Sequence, residues 1–193
     1  GRTRDDAAGE TFDKVAKMLG IGYPGGPMVE RMAKTGQASR IPFPTPWLEG
    51  TWDFSFSGLK TAVLYRLRDR SSWSIQDKKD LCAAFQESVV TVLACKTVAA
   101  ANAFGIKQIV AGGGVAANQS LRRRLRFLCD QHQCSLFLAS PPLCTDNAAM
   151  IAAAAYYKAT RLFPGRRCRL GVEPYRAMPA IKGRIPSFHR SSI

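Results

Sequence analysis

The apolar run Ile109-Val110-Ala111 passes directly into Gly112-Gly113-Gly114, and a helical pattern follows from Asn118 to about Gln131. Three successive glycines carry too much conformational freedom to continue either a strand or a helix, so this stretch must turn. A second apolar run, Ser135-Leu136-Phe137-Leu138, follows the helix. Pro141-Pro142 breaks it, and Asp146 is expected to start a final helix reaching about Arg161. Upstream, Asp77 reads as the N-cap of a long apolar helix to about Ala103, which Phe104-Gly105 ends. Helix, strand, glycine turn, helix, strand, helix is the alternation of an α/β layer architecture with helices packed on a sheet.

The first third reads differently. Ala7, Ala8, Phe12, Val15, Ala16, Met18 and Leu19 give a helical stripe over residues 5–20, with Gly20 as its C-cap. Tyr23-Pro24-Gly25-Gly26-Pro27 is a turn. Pro27 suits the first position of a short helix, Met28 to about Lys34. Residues 36–52 hold three prolines and read as irregular. Phe54-Ser55-Phe56 alternates like a short strand, and a helix is expected from about Leu59 to Arg68.

Charge is distributed unevenly in this chain of 193 residues with net charge +14. Residues 1–60 carry eight basic and seven acidic side chains, residues 61–160 twelve and six, and residues 161–193 eight and one. A basic tail on a modestly basic body suggests a polyanion, nucleic acid first, although a solvated surface or an acidic partner fits charge alone equally well. No apolar run approaches the ~18–20 residues of a bilayer span, and no signal-peptide core is seen, so a cytoplasmic chain without a membrane partner is expected. The cysteines, Cys82, Cys95, Cys129, Cys134, Cys144 and Cys168, form no C-x-x-C pair and read as reduced core thiols, with zinc binding the minor alternative.

Three constellations carry chemistry. Where the strand meets Gly112-Gly113-Gly114, backbone N–H groups and a helix N-terminus favour a nucleotide or anion, with Asn118 either touching the ribose or simply capping the helix. The turn matches neither a Walker loop nor a G-x-G-x-x-G fingerprint. Thr145-Asp146-Asn147 presents a carboxylate at a helix start, as a cap or as a metal ligand. Asp13 and Glu30 flank Gly25-Gly26, an arrangement that suits ribose hydroxyls, or else they are surface acids.

The blocks Asp5-Asp6-Ala7-Ala8-Gly9-Glu10-Thr11-Phe12-Asp13-Lys14, Tyr23-Pro24-Gly25-Gly26-Pro27, Asp53-Phe54-Ser55-Phe56-Ser57-Gly58-Leu59-Lys60-Thr61, Gly113-Gly114-Val115-Ala116-Ala117-Asn118 and Cys144-Thr145-Asp146-Asn147-Ala148-Ala149-Met150-Ile151-Ala152 resemble, in order and spacing, the TsaD family. These are the tRNA N6-adenosine threonylcarbamoyltransferases, once described as O-sialoglycoprotein endopeptidases. The resemblance covers the chain to about Leu162. It implies an actin-like, Hsp70-like ATPase fold of RNase-H-like lobes, with 1–162 as the C-terminal nucleotide-binding lobe bearing helical additions and 163–193 as a basic tail. It implies transfer of threonylcarbamoyl from threonylcarbamoyl-AMP to N6 of the adenosine next to the tRNA anticodon. Asp13, Gly26, Glu30, Gly113, Gly114 and Asn118 would contact the adenylate, and Asp146 would be a ligand of one divalent metal, iron or zinc. Partners would be tRNA and, in bacteria, an actin-like paralogue and a small ATPase.

The family's other metal ligands form a His-x-x-x-His motif, whereas this chain has only His132 and His189. The family's N-terminal serine-glycine-glycine phosphate segment is also not found. The resemblance therefore implies that the first lobe is missing here, that the chain alone binds nucleotide weakly and that it does not catalyse. The alternative is a non-catalytic actin-like partner or binding module. A metalloprotease is disfavoured, since no H-E-x-x-H helix occurs.

Overall fold

The computed structural model describes residues 1–162, with side chains through residue 158. The architecture is α/β, mostly helical with a small parallel sheet. The tail expected over 163–193 lies outside the described residues.

Helix α1, Ala8–Leu19, buries Phe12, Val15, Ala16 and Leu19 along the expected stripe, and Gly20 closes it in the left-handed conformation (φ 63°). Helix α2, Gly25–Ala33, starts ahead of the position that Pro27 suggested. The cause is a contact distant in sequence: Asp13 Oδ1 accepts the Gly25 N–H at 2.7 Å, so the first amide of α2 is satisfied by α1. The two helices touch so closely there that a Cβ on Gly25 would lie 2.4 Å from Asp13 Cα.

Phe54-Ser55-Phe56 is not a strand. Phe54 makes one isolated parallel bridge with Thr3, and Phe56 is the N-cap of α3, Ser57–Arg68. The Asp5 carboxylate overrides the alternating pattern by collecting the N–H groups of Phe56 and Ser57 and the hydroxyls of Ser55 and Ser57. Burial pushes the Asp5 carboxyl up, but these four hydrogen bonds together outweigh it and bring the pKa down to about 2. Asp6 fastens the same two segments through Lys14 and Lys60.

Helix α4, Ile75–Ala103, is capped by Ser74, not by Asp77. Asp77 is the third helical residue and reaches back to the Ser74 N–H in a capping box. At about 1.5 Å per residue its 29 residues run about 43 Å, enough to serve two cores. One core joins α1, α2, α3 and the first half of α4. The other joins the second half of α4, the sheet and α5. By length and composition α4 could cross a membrane, contrary to the reading that no run approaches that length, yet 78% of its most apolar window is buried inside the protein.

Strand β1, Gln108–Ala111, pairs in parallel with β2, Ser135–Leu138, with Gln108 opposite Ser135 and Ala111 opposite Leu138. Helix α5, Gln119–Gln131, is the crossover and packs on α4. Ile109 faces the core, while its neighbour Val110 and the opposing Phe137 stand out to solvent. Helix α6, Ala148–Leu162, begins after Asp146 rather than at it, because Asn147 Oδ1 accepts the Met150 N–H and takes the cap.

Two buried ionic side chains anchor the proline-bearing segment. Lys96, 1% exposed in the middle of α4, donates to the carbonyls of Leu48, Thr51 and Asp53 at 2.7–2.9 Å, beneath the rings of Trp47 and Phe54. Asp80 accepts from Gln37 N, Gln76 Nε2 and Arg40. Cys82, Cys95, Cys129, Cys134 and Cys144 are buried free thiols, as expected, and burial pushes Cys82 up to about 12. Cys168 lies outside the described residues.

Candidate nucleotide site

The glycine turn leaves β1 through Gly113, whose φ of 87° and ψ of 164° are open only to glycine. Gly114–Ala117 then form one 3-10 turn, and Asn118 caps α5 by accepting the Leu121 N–H at 3.0 Å. Its amide nitrogen donates to Gln86 Oε1 on α4 at 2.8 Å, which fixes the side chain between two helices. The cap uses one lone pair of the amide oxygen and the Gln86 bond one amide hydrogen; one of each remains for a ligand.

Glu30 departs from a bare anion site. Its Oε1 accepts the Gln119 N–H at 2.8 Å, so a carboxylate already sits on the first amide of α5. The helix dipole that would draw a phosphate is thus met by the protein's own charge. What remains suits hydroxyl donors better than a second anion.

Asp13, Gly26, Glu30, Gly114 and Asn118 converge on one cavity of about 390 Å³, together with Gly9, Phe12, Pro24, Pro27, Val115, Ala117 and Thr145. The lining is apolar apart from two carboxylates, the Asn118 amide and the Thr145 hydroxyl, and no Lys or Arg belongs to it among the described residues. Gly26 has nothing within 4 Å of where a Cβ would stand, so no protein contact demands glycine there. Gly113 shapes the turn but does not line the cavity.

Thr145 reaches the cavity, whereas Asp146 is exposed beside it and is not part of the lining. Asp146 is not the α6 cap, and it makes no hydrogen bond or ion pair among the described residues. No group of three or more His, Cys, Asp and Glu side chains comes together among the described residues. The described residues therefore do not by themselves fit a metal ion, which in catalytic zinc sites takes about three protein ligands. His132 ends α5 as its C-cap, with its Nδ1 2.8 Å from Asn102 Nδ2, away from the cavity.

Arg122 was not singled out from the sequence. It is buried on α5, and its guanidinium donates to Ala116 O at 2.8 Å and Ala139 O at 2.9 Å, with Cys144 Sγ at 3.8 Å. One side chain thus ties the glycine turn to the end of β2 and to the segment leading into Thr145-Asp146. The available signal was its phase: Arg122 falls among Leu121, Leu125 and Cys129 on the apolar sector of α5.

The sequence profile of TsaD, tRNA N6-adenosine threonylcarbamoyltransferase, matches residues 1–153. The chain belongs to the TsaD family. It is 52% identical over 157 residues to the tRNA N6-adenosine threonylcarbamoyltransferase of Symbiobacterium thermophilum, covering 81% of this chain and 46% of that protein. The protein of the same name from Desulfotalea psychrophila is 51% identical over 170 residues, covering 86% and 49%. The chain thus spans about half the length of the curated TsaD relatives it matches. The crystal structure of T. kodakarensis HypF superimposes on 80% of this chain and 20% of its own with a TM-score of 0.60 at 19% identity, a likeness of fold alone.

Proposed function

We propose that this chain is the second, adenosine-gripping lobe of an actin-like tRNA N6-adenosine threonylcarbamoyltransferase. The observation that carries the reading is the single cavity shared by Asp13, Gly26, Glu30, Gly114 and Asn118. Phe12, Pro24, Pro27 and Val115 offer apolar surface to an adenine ring, and Asp13 and Glu30 offer acceptors to ribose hydroxyls. AMP is the leaving group of the transfer, so the chain's task is to hold and orient that leaving group. The N6 lone pair of the tRNA adenosine attacks the carbamoyl carbon, a C–N bond forms, the C–O bond to phosphate breaks, and AMP departs while the amine loses a proton. A family metal, iron or zinc, would take Asp146 as one ligand and its others from outside the described residues. tRNA is the acceptor, with an actin-like paralogue and a small ATPase as companions, in the cytoplasm.

In the full-length protein, Gly26→Leu should raise KM for threonylcarbamoyl-AMP at least about tenfold, since the new side chain occupies the cavity. Unchanged kinetics would remove the cavity from the reaction. The chain alone should bind AMP weakly and transfer nothing; submicromolar AMP affinity by calorimetry would refute the half-site reading.

A further inference from the structure

Behind the nucleotide cavity, a groove of about 470 Å³ runs between α4 and α5, lined among others by Gln86, Glu87, Ser120, Arg123, Arg124 and Phe127. We propose that it seats an RNA phosphodiester backbone, which on the transferase reading is that of the tRNA substrate. The phase of α5 makes the first case. Leu121, Arg122, Leu125, Leu128 and Cys129 occupy its buried sector, which turns Arg123, Arg124, Arg126 and Phe127 outward together. Arg124 and Arg126 have no hydrogen-bond or ion-pair partner among the described residues, and Arg123 donates only to Ser120 Oγ at 3.0 Å. Arg123 and Arg124 both line the groove, and planar guanidinium forks match phosphate oxygens.

The aromatic makes the second case. Phe127 is 54% exposed in the same lining, where an unpaired base could stack, a pairing of cation and ring that single-stranded nucleic acid favours over an acidic peptide. Glu87 is the carboxylate in the lining and Asp130 lies toward the end of α5, so the groove is cationic without being uniformly so.

Position makes the third case. Asn118, which lines the nucleotide cavity, donates to Gln86 Oε1; Gln86 Nε2 donates to Ser120 Oγ at 3.1 Å; and Arg123 donates to the same hydroxyl. One chain of hydrogen bonds therefore runs from the adenosine cavity to the arginines. At about 1.5 Å per residue, Arg123 lies about 8 Å along α5 from Asn118, so a strand held in the groove would keep its next nucleotides beside the cleft.

The test is a fluorescence-anisotropy titration of the whole chain with an unmodified tRNA transcript over a range of salt. Arg123→Gln/Arg124→Gln/Arg126→Gln should weaken binding at least tenfold at 0.1 M salt and reduce the log–log salt slope by about two to three. Arg31→Gln/Arg68→Gln/Lys107→Gln, which removes as much charge elsewhere, should change binding less than threefold. Crosslinking with 4-thiouridine-substituted tRNA should mark peptides within 119–131. An unchanged slope with an unchanged circular dichroism spectrum overturns the proposal. So do crosslinks confined to residues 161–193, or loss of polyglutamate binding with RNA binding intact, which would mark an acidic protein's surface instead. Each of those results leaves the transferase reading standing, because that reading is tested separately by the Gly26→Leu kinetics and the AMP calorimetry.

Discussion

Arg122→Met tests whether one buried guanidinium holds the two sides of the candidate site together. Methionine keeps most of the stem's volume and removes the donors. Ala116 O and Ala139 O, held at 2.8 and 2.9 Å, lose their side-chain partner in a site where Arg122 is 5% exposed. Hydrogen bonds to a charged group contribute about 1.5–3 kcal/mol each, so the gross loss is about 3–6 kcal/mol. Against this stands the relief of no longer burying a cation, several kcal/mol in its own right, for which no carboxylate partner is found among the described residues. The two terms are of similar size, so the expected net destabilisation is about 1–2 kcal/mol, or about 2–8 °C in Tm for a chain of this size. Thermal and urea melts followed by circular dichroism measure it. Hydrogen exchange should accelerate in 112–118 and 139–146 while α1 and α2 stay protected. If the variant is as stable as the parent, or more so, the clamp is a net cost and Arg122 does not hold the turn.

Lys96→Met should cost about 2–4 kcal/mol in urea melts, because three carbonyls of the 48–53 segment lose a charged donor; a loss under about 1 kcal/mol would mean that water replaces the ammonium freely. Gly25→Ala should destabilise by about 2–3 kcal/mol through the clash with the α1 backbone, and an unchanged Tm would show that α2 can shift without cost. Asp5 contributes a pH-dependent share. Its folded pKa of about 2 lies below the unfolded value of 3.8, so its stabilisation is full above that value and fades as pH falls toward 2. Asp5→Asn should therefore flatten the stability-against-pH curve between pH 4 and 2, and an unaltered slope would contradict the four hydrogen bonds.

The sequence was most legible where chemistry and backbone geometry coincide. Gly113 must be glycine for its φ, Asp13 and Glu30 stand beside a glycine turn, and all the nucleotide residues except Gly113 meet in the cavity. Legibility failed where a partner distant in sequence decides the local structure. Asp13 moved the start of α2 to Gly25, and Asp5 converted an apparent strand at 54–56 into the entrance of α3. Pattern reading counts neighbours along the chain, and these carboxylates lie twelve and about fifty residues from the amides they hold. Lys96, Asp80, Gln86 and Arg122 escaped for a related reason. Each is a polar residue inside a helix, and only its phase among apolar neighbours shows that it faces inward. Asp77 and Asp146 are the near misses: both lie at helix starts, but Ser74 and Asn147 take the caps.

Two concave sites among the described residues sort opposite charges. The candidate nucleotide cavity carries Asp13 and Glu30 and, among the described residues, no cation, and Glu30 already occupies the first amide of α5. The groove behind it carries Arg123 and Arg124. An adenylate phosphate inside the cavity would meet two like charges in a partly desolvated space, where repulsion at an effective dielectric constant of about 20 is worth several kcal/mol at contact distance. The nucleoside can enter without that cost, because hydroxyl donors gain from the same carboxylates. On the proposed reading, the cavity would take the neutral end of an adenylate and leave its phosphate outside. On the same reading, cations from elsewhere in the complete protein would neutralise it. The same partition would let one helix serve both proposed sites: its capped, acid-covered N-terminus faces the cavity, while its arginine face, one turn further on, faces the groove.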